Sequence, residues 1–290
     1  MQHAGVCPPS EQPQVHSLRG FQILMNIART PNGLIITLLF AAASLQAQTA
    51  ASFSTASAQF VRDGLVGWWK GDHNAFDIVA RNDGTLFNGT YVKGVIGQAF
   101  SFDPDNSPGW TGVQIPDRPA YALTDALTIT GWIRPQGNGY IIFWRGDNRP
   151  GLDPYALSMQ GDHDLAFIIS DEEGNNPRVD ATIPYHQWTH VAATFDSSIG
   201  TMSLYINGVL AAQTVTAVRP FAELQPDSSP GVGIGNLNDG GNNFPFVGDI
   251  DEIALFDRAL SANEIQRLYR VGGGKVHGHP KYGLPLFAPH

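Results

Sequence analysis

Cys7 is the only cysteine in 290 residues, so no internal disulfide is available. The chain must be held together by its core or by a bound group. Basic side chains are also scarce, 17 Lys and Arg against 26 Asp and Glu, which leaves a formal charge of -9. That balance speaks against nucleic acid and anionic lipid as partners and makes a bound cation more plausible. A run of bilayer-spanning length is missing. The apolar stretch GLIITLLFAAASL (33–45) falls short of the roughly 20 residues a helix needs to cross, so membrane insertion is not expected. No glycine-rich loop follows a strand and opens a helix, and there is no G-x-S-x-G elbow, so nucleotide binding and serine hydrolysis lack support.

The apolar stretch has the pattern of a secretory leader, with a buried helix as the alternative. Arg29 precedes it, and the small residues of QAQTA follow. On this reading synthesis starts at Met25, residues 1–47 comprise an over-extended start plus the signal peptide, and cleavage falls after Ala47 or Ala50. Residues 48–62 are a Ser/Thr/Ala-rich spacer, 63–272 one domain, and 273–290 a disordered tail. Loss of residues 1–47 removes Cys7, Arg19, Arg29 and Glu11, leaving 15 basic and 25 acidic side chains. The expected destination is the exterior, the cell surface or the periplasm.

Short alternating strands fill the domain. LTITGWIRP (127–135) alternates, YIIFWRG (140–146) is apolar on both faces, and YALSM, LAFII, WTHVAATFD and TMSLYINGVLAAQTV follow. Asn207-Gly208 sits between two alternating runs and predicts a type I′ hairpin, since both residues tolerate positive φ. The spacing of strands, with no βαβ alternation, predicts an all-β, antiparallel two-sheet sandwich. One helix is expected, SANEIQRLYR (261–270), opened by a capping box of Ser261 and Glu264 and packed on the sandwich edge.

Three motifs in order then carry a resemblance. They are the opening GLVGWWKGDHNAFDIVARNDGTLFNGTYVKGVIGQAFSFD (64–103), the central pair at 188–196 and 200–208, and the closing IDEIALFDRALSANEI (250–265). Together they resemble bacterial LamG-like jelly-roll domains of the concanavalin A-like lectin/glucanase superfamily. His73, Phe76 and Ala80-Arg81 depart from the usual opening. The resemblance implies a concanavalin A-like jelly roll and leaves function open, because this fold hosts lectins, adhesion modules and enzymes.

The last strand, GDIDEIALF, carries acids in an apolar run. Strict alternation puts Asp251 on one face with Ile253 and Leu255. A carboxylate so placed needs a partner. The resemblance implies structural Ca²⁺ held by Asp251, with Asp72 or Asp77 from the opening loop and the carbonyl of Gly97. The alternative is that Asp251 caps a backbone amide or pairs with an arginine such as Arg258, and loop aspartates are often plain turn formers.

Glycoside hydrolysis needs two carboxyls on one cleft face. No mid-chain strand alternates acids, and SDEEGNN (170–176) reads as a hairpin loop, so a non-catalytic module is expected, with a divergent hydrolase as the outside alternative. His186 and His190 fall at a strand entry and read as packing residues. For a glycan the loops offer Trp144, Arg145 and Asp147, and the amides of Asn236, Asn238, Asn242 and Asn243. An ordinary flexible connection is the competing reading for that loop. The expectation is a Ca²⁺-stabilised glycan-binding module, or else an adhesion module that binds protein at the cell surface.

Overall fold

The computed structural model describes residues 28–30, 33–35, 61–149, 151–237 and 243–273. Residues 1–57 form one unit, in which β1 (Ala28–Thr30) pairs antiparallel with β2 (Gly33–Ile35). This ribbon overlaps the start of the expected leader. The cleavage positions, residues 48–60 of the spacer and the tail from 274 lie outside the described residues.

The second unit begins with β3 (Leu65–Trp69), β4 (Thr85–Phe87), β5 (Thr90–Lys93), β6 (Gln98–Phe102) and β7 (Gly112–Pro116). It continues through β8 (Ala126–Pro135), β9 (Ile141–Gly146), β10 (Tyr155–Met159), β11 (Asp164–Ile169) and β12 (Arg178–Thr182). The last elements are β13 (Thr189–Asp196), β14 (Thr201–Ile206), β15 (Val209–Val215), β16 (Gly231–Ile234), β17 (Gly248–Phe256) and the helix α1 (Ala262–Gly273).

Two antiparallel sheets result. The 7-stranded sheet runs β12-β11-β10-β9-β16-β7-β4, and the 8-stranded sheet runs β15-β14-β13-β8-β17-β6-β5 with β3 pairing β17. Alternate residues face inward, as period-2 patterning requires. Phe143, Leu157, Phe167 and Val232 from one sheet meet Ile129, Val191, Phe195 and Leu255 from the other in one core. The β14–β15 turn has Asn207 at φ 52° and Gly208 at φ 78°, as a type I′ hairpin demands.

The helix departs from expectation in its seat. It lies on the outer face of the 8-stranded sheet rather than at the sandwich edge, with Ile265 buried among Ala192, Tyr205, Ala254 and Phe256. Its capping box is formed: Ser261 N donates to Glu264 Oε2 at 2.8 Å, and Glu264 N donates to Ser261 Oγ at 3.4 Å.

Strict alternation fails in β17. Asp251 pairs with Trp132 and Ala254 with Thr130, so Glu252 and Ile253 together face Gly131. This is a β-bulge, and Glu252 takes the left-handed conformation at φ 56°. Gly131 makes room, because a Cβ there would lie 2.5 Å from Ile253 Cδ1. The extra residue resets the faces. Ile250, Ile253 and Leu255 point into the core, whereas Asp251 shares the outer face with Trp132. The expected face-sharing of Asp251 with Ile253 and Leu255 is therefore corrected by the bulge.

Candidate cation and ligand sites

The turn 94–97 between β5 and β6 is gripped by two carboxylates. Asp251 Oδ2 accepts from Val95 N at 2.7 Å and Ile96 N at 3.0 Å, while its buried Oδ1 has no hydrogen-bond partner. Asp72 Oδ1 accepts from Gln98 N at 2.9 Å, and Asp72 Oδ2 pairs with Lys70 Nζ at 2.7 Å. Gly94 and Gly97 let these side chains approach, since a Cβ on either would collide with the carboxylate beside it. Beside them Glu252 Oε2 accepts from Trp68 Nε1 at 2.6 Å, and Oε1 is again buried without a partner. Burial pushes the pKa of Asp251 up to about 7. Burial, and then the charge of Asp251, push Glu252 to about 8. Burial also opposes the charge of Asp72, but hydrogen bonds from Lys70 and the Gln98 amide hold it below the usual carboxylate range.

The four residues expected around Ca²⁺ are only partly together. Asp251 and Asp72 hold opposite ends of the turn that contains Gly97, whose carbonyl accepts from Gly94 N at 3.1 Å. Asp77 is committed elsewhere: its oxygens accept from the amides of Trp68, Val79, Ala80 and Asn82 at 2.9 to 3.1 Å. It organises the opening loop, as turn-forming aspartates do. Arg258 pairs with Asp63 and Glu264. Asp251 thus does cap backbone amides, yet only with one oxygen.

Two orphaned carboxylate oxygens near a carbonyl-bearing turn are hard donors of the kind Ca²⁺ takes. Among the described residues no three His, Cys, Asp or Glu side chains already converge on a metal position. Backbone carbonyls and water would have to complete the shell.

The residues expected to hold a glycan separate into two places. Trp144 faces away from the core but is fully buried beneath Leu237, and its Nε1 donates to Asp153 at 2.6 Å. It offers no open platform. Arg145 and Asp147 lie toward the far end of β9, where Gly146 pairs with Gly231. Arg145 pairs with Asp117 at 2.9 Å. Asp147 is buried, and although burial opposes its charge, hydrogen bonds from Arg149 and Gln225 N keep its pKa low. Asn238 and Asn242 lie outside the described residues.

Asn236 and exposed Asn243 stand at the opposite end of the sheet, and here the aromatics gather. Asn236 is fully buried and uses both ends of its amide. Its Nδ2 donates to Thr111 O at 2.7 Å and Asn243 Oδ1 at 2.8 Å. Its Oδ1 accepts from Leu237 N at 2.9 Å and Phe244 N at 2.8 Å. One side chain therefore fastens the loop of Trp110 to the loop of Phe244. Half-buried Trp110 meets Phe87 edge-on at 5.9 Å, and Phe244 meets Tyr140 edge-on at 5.6 Å. Phe87, Tyr140 and Phe244 are 39%, 44% and 40% exposed. Register puts both pairs on one rim: Phe87 opposes Gly112, Val113 opposes Ile234, and Ile234 opposes Phe143. From β4 to β9 is three strand spacings, about 14 Å. The sequence signal for Trp110 is its place on a loop between Pro108-Gly109 and Gly112, and no such bracket marks Phe87, Tyr140 or Phe244.

The acids of β17 are each held by separate partners. Asp249 binds Arg134 and Gln136, Asp251 binds the turn amides, and Glu252 binds Trp68. SDEEGNN is the β11–β12 turn, closed by Asp171 on Asn175. His190 is a buried packing residue whose pKa burial pushes down to about 3. Thr130 Oγ1 donates to Val191 O, so His190 Nε2 is the donor in its 3.1 Å contact with that hydroxyl.

Among known proteins, 162 residues are 27% identical to pentraxin-related protein PTX3 of Homo sapiens, covering 53% of this chain and 41% of that one. The chain thus spans less than half the length of this relative. In solved structures, domain 4 of the extracellular arabinanase AbnA from Geobacillus stearothermophilus, in complex with arabinotriose, matches with a TM-score of 0.54 at 22% identity. The match covers 72% of this chain and 100% of that one. The binding domain of botulinum neurotoxin serotype G matches at 0.55 and 17% identity, over 71% of this chain and 51% of that one. Trypanosoma rangeli sialidase matches at 0.54 and 18% identity, over 80% and 39%. These likenesses are of fold. A family model described as the concanavalin A-like lectin/glucanases superfamily matches residues 108–266, more than half of the sequence. The chain belongs to the concanavalin A-like lectin/glucanase superfamily.

Proposed function

We propose that this chain is a secreted, non-catalytic glycan-binding module steadied by Ca²⁺. The observation that carries the reading is the rim where Asn236 locks two exposed aromatic pairs in place. Sugar rings present C–H faces that pack on aromatic surfaces, and their hydroxyls need fixed amides; Asn243 supplies an exposed one. Preorganisation of the rim lowers the ordering cost of binding. The arabinanase domain, which carries arabinotriose, and the neurotoxin domain, a binding domain by name, support this reading. Affinity electrophoresis against arabinan, β-glucan and other polysaccharides tests it. Retention is expected on at least one polymer, falling at least tenfold for Trp110→Ala and Phe244→Ala. Retention untouched by both changes would remove the rim, and retention on no glycan would turn the reading toward protein adhesion.

Ca²⁺ would be held by Asp251 and Asp72 with carbonyls of the turn 94–97, tying the opening segment to the last strand. The orphaned Asp251 Oδ1 supports this. A ligand bound only by the folded state stabilises it by mass action. Melting is therefore expected to rise by several degrees when Ca²⁺ replaces chelator, and Asp251→Asn to erase most of the rise. Equal melting in both media sinks the metal reading without touching the glycan rim.

A further inference from the structure

We propose that the Lys70 ammonium is a tethered counter-cation for Asp72, Asp251 and Glu252, holding the place of Ca²⁺ and setting the concentration needed to displace it. This rests on the Ca²⁺ reading above. Lys70 leaves β3 directly into the acidic cluster. Its Nζ lies 2.7 Å from Asp72 Oδ2 and 6.0 Å from the centroid of the Trp68 ring, whose own Nε1 donates to Glu252. Its carbonyl lies 3.5 Å from the amide of Glu252, so the chain around the bulge ties the two residues together. Hydrogen bonding to Asp72 and the charges of Glu252 and Asp251 all favour its protonated form.

Arg134 is paired with Asp249 and Arg258 with Asp63 and Glu264, and Lys70 is the cation whose charge acts on Glu252. One ammonium then faces three carboxyls and leaves two buried oxygens unpartnered, on Asp251 and Glu252. Such a cluster tolerates the metal-free state but remains short of positive charge. A divalent ion supplies that charge only by repelling the ammonium and freeing Asp72 Oδ2. Lys70 thereby weakens Ca²⁺ binding while steadying the empty protein.

Calorimetric Ca²⁺ titration and thermal melting of chelator-treated protein test this on wild type, Lys70→Met and Lys70→Arg. Methionine keeps the stem without the charge. The expected result for K70M is a lower metal-free melting temperature together with a Ca²⁺ Kd tightened about tenfold or more. K70R keeps the charge and is expected to stay within a few-fold of wild type. If K70M folds only with Ca²⁺, a folding midpoint below the wild-type Kd gives the same support. A K70M Kd equal to or weaker than wild type overturns the proposal while leaving the metal reading intact. Absence of any Ca²⁺ response in wild type and both variants overturns the two together.

Discussion

Asp251 and Glu252 are adjacent in the chain, yet each is held by a different neighbour: turn amides for one, the Trp68 indole for the other. The need of Asp251 for a partner was legible, because an acid in an apolar run must be satisfied. The left-handed backbone of Glu252 was not, since nothing in a glutamate announces positive φ. The signal lay on another strand, at Gly131. His190 was read correctly as packing, and its burial has a titration consequence. With a folded pKa of about 3 against an unfolded 6.5, the unfolded chain takes a proton that the folded chain refuses between those values. Stability from this group is therefore full above pH 6.5 and falls with acidification by up to about 1.4 kcal/mol per pH unit. Urea unfolding between pH 7 and 4 should show a shallower loss for His190→Gln than for wild type. Parallel curves would mean that His190 opens to water.

At the scale of elements, alternation and turn chemistry revealed the strands, the Asn207-Gly208 hairpin and the capped helix. They could not reveal what covers an outward side chain. Trp144 lies on the outer face as its strand parity allows, but Leu237 closes over it. Asn236 misled in a related way: it looked like a ligand-facing amide and is instead the bolt between two loops. Asn236→Ala would strand two backbone amides, those of Leu237 and Phe244, and free both loops, at a cost of about 3 kcal/mol. Denaturant unfolding should register that loss, and glycan retention should drop although Asn236 touches no solvent. Retention at the wild-type level would mean that the aromatic pairs hold themselves.

For the molecule as a whole, α1 makes a third layer, and the sandwich needs it because the 8-stranded sheet is apolar on both sides there. Ala192, Tyr205, Ala254 and Phe256 form one apolar patch with Val61 and Ile265. Ile265→Ala leaves a hole in that layer and is expected to cost about 2–4 kcal/mol, read by chemical denaturation. A change below 1 kcal/mol would show the helix to be dispensable. The helix itself was evident from its caps, but its seat was not, since a two-sided strand such as β17 does not say which face the helix takes. No helix among the described residues is long and apolar enough to cross a membrane.

Strand β17 counts in twos and contains one odd residue. Loss of the single codon for Glu252, with the flanking pairing kept, would leave Asp251 outward opposite Trp132 and Ile253 and Leu255 inward, in a ladder that runs without a break. A deletion too small to shorten the sandwich would thus straighten the strand and strip one acid from it, leaving inside and outside where they were. In this family member the bulge is a one-codon insertion that seats a second acid beside the first without disturbing the alternation of the core.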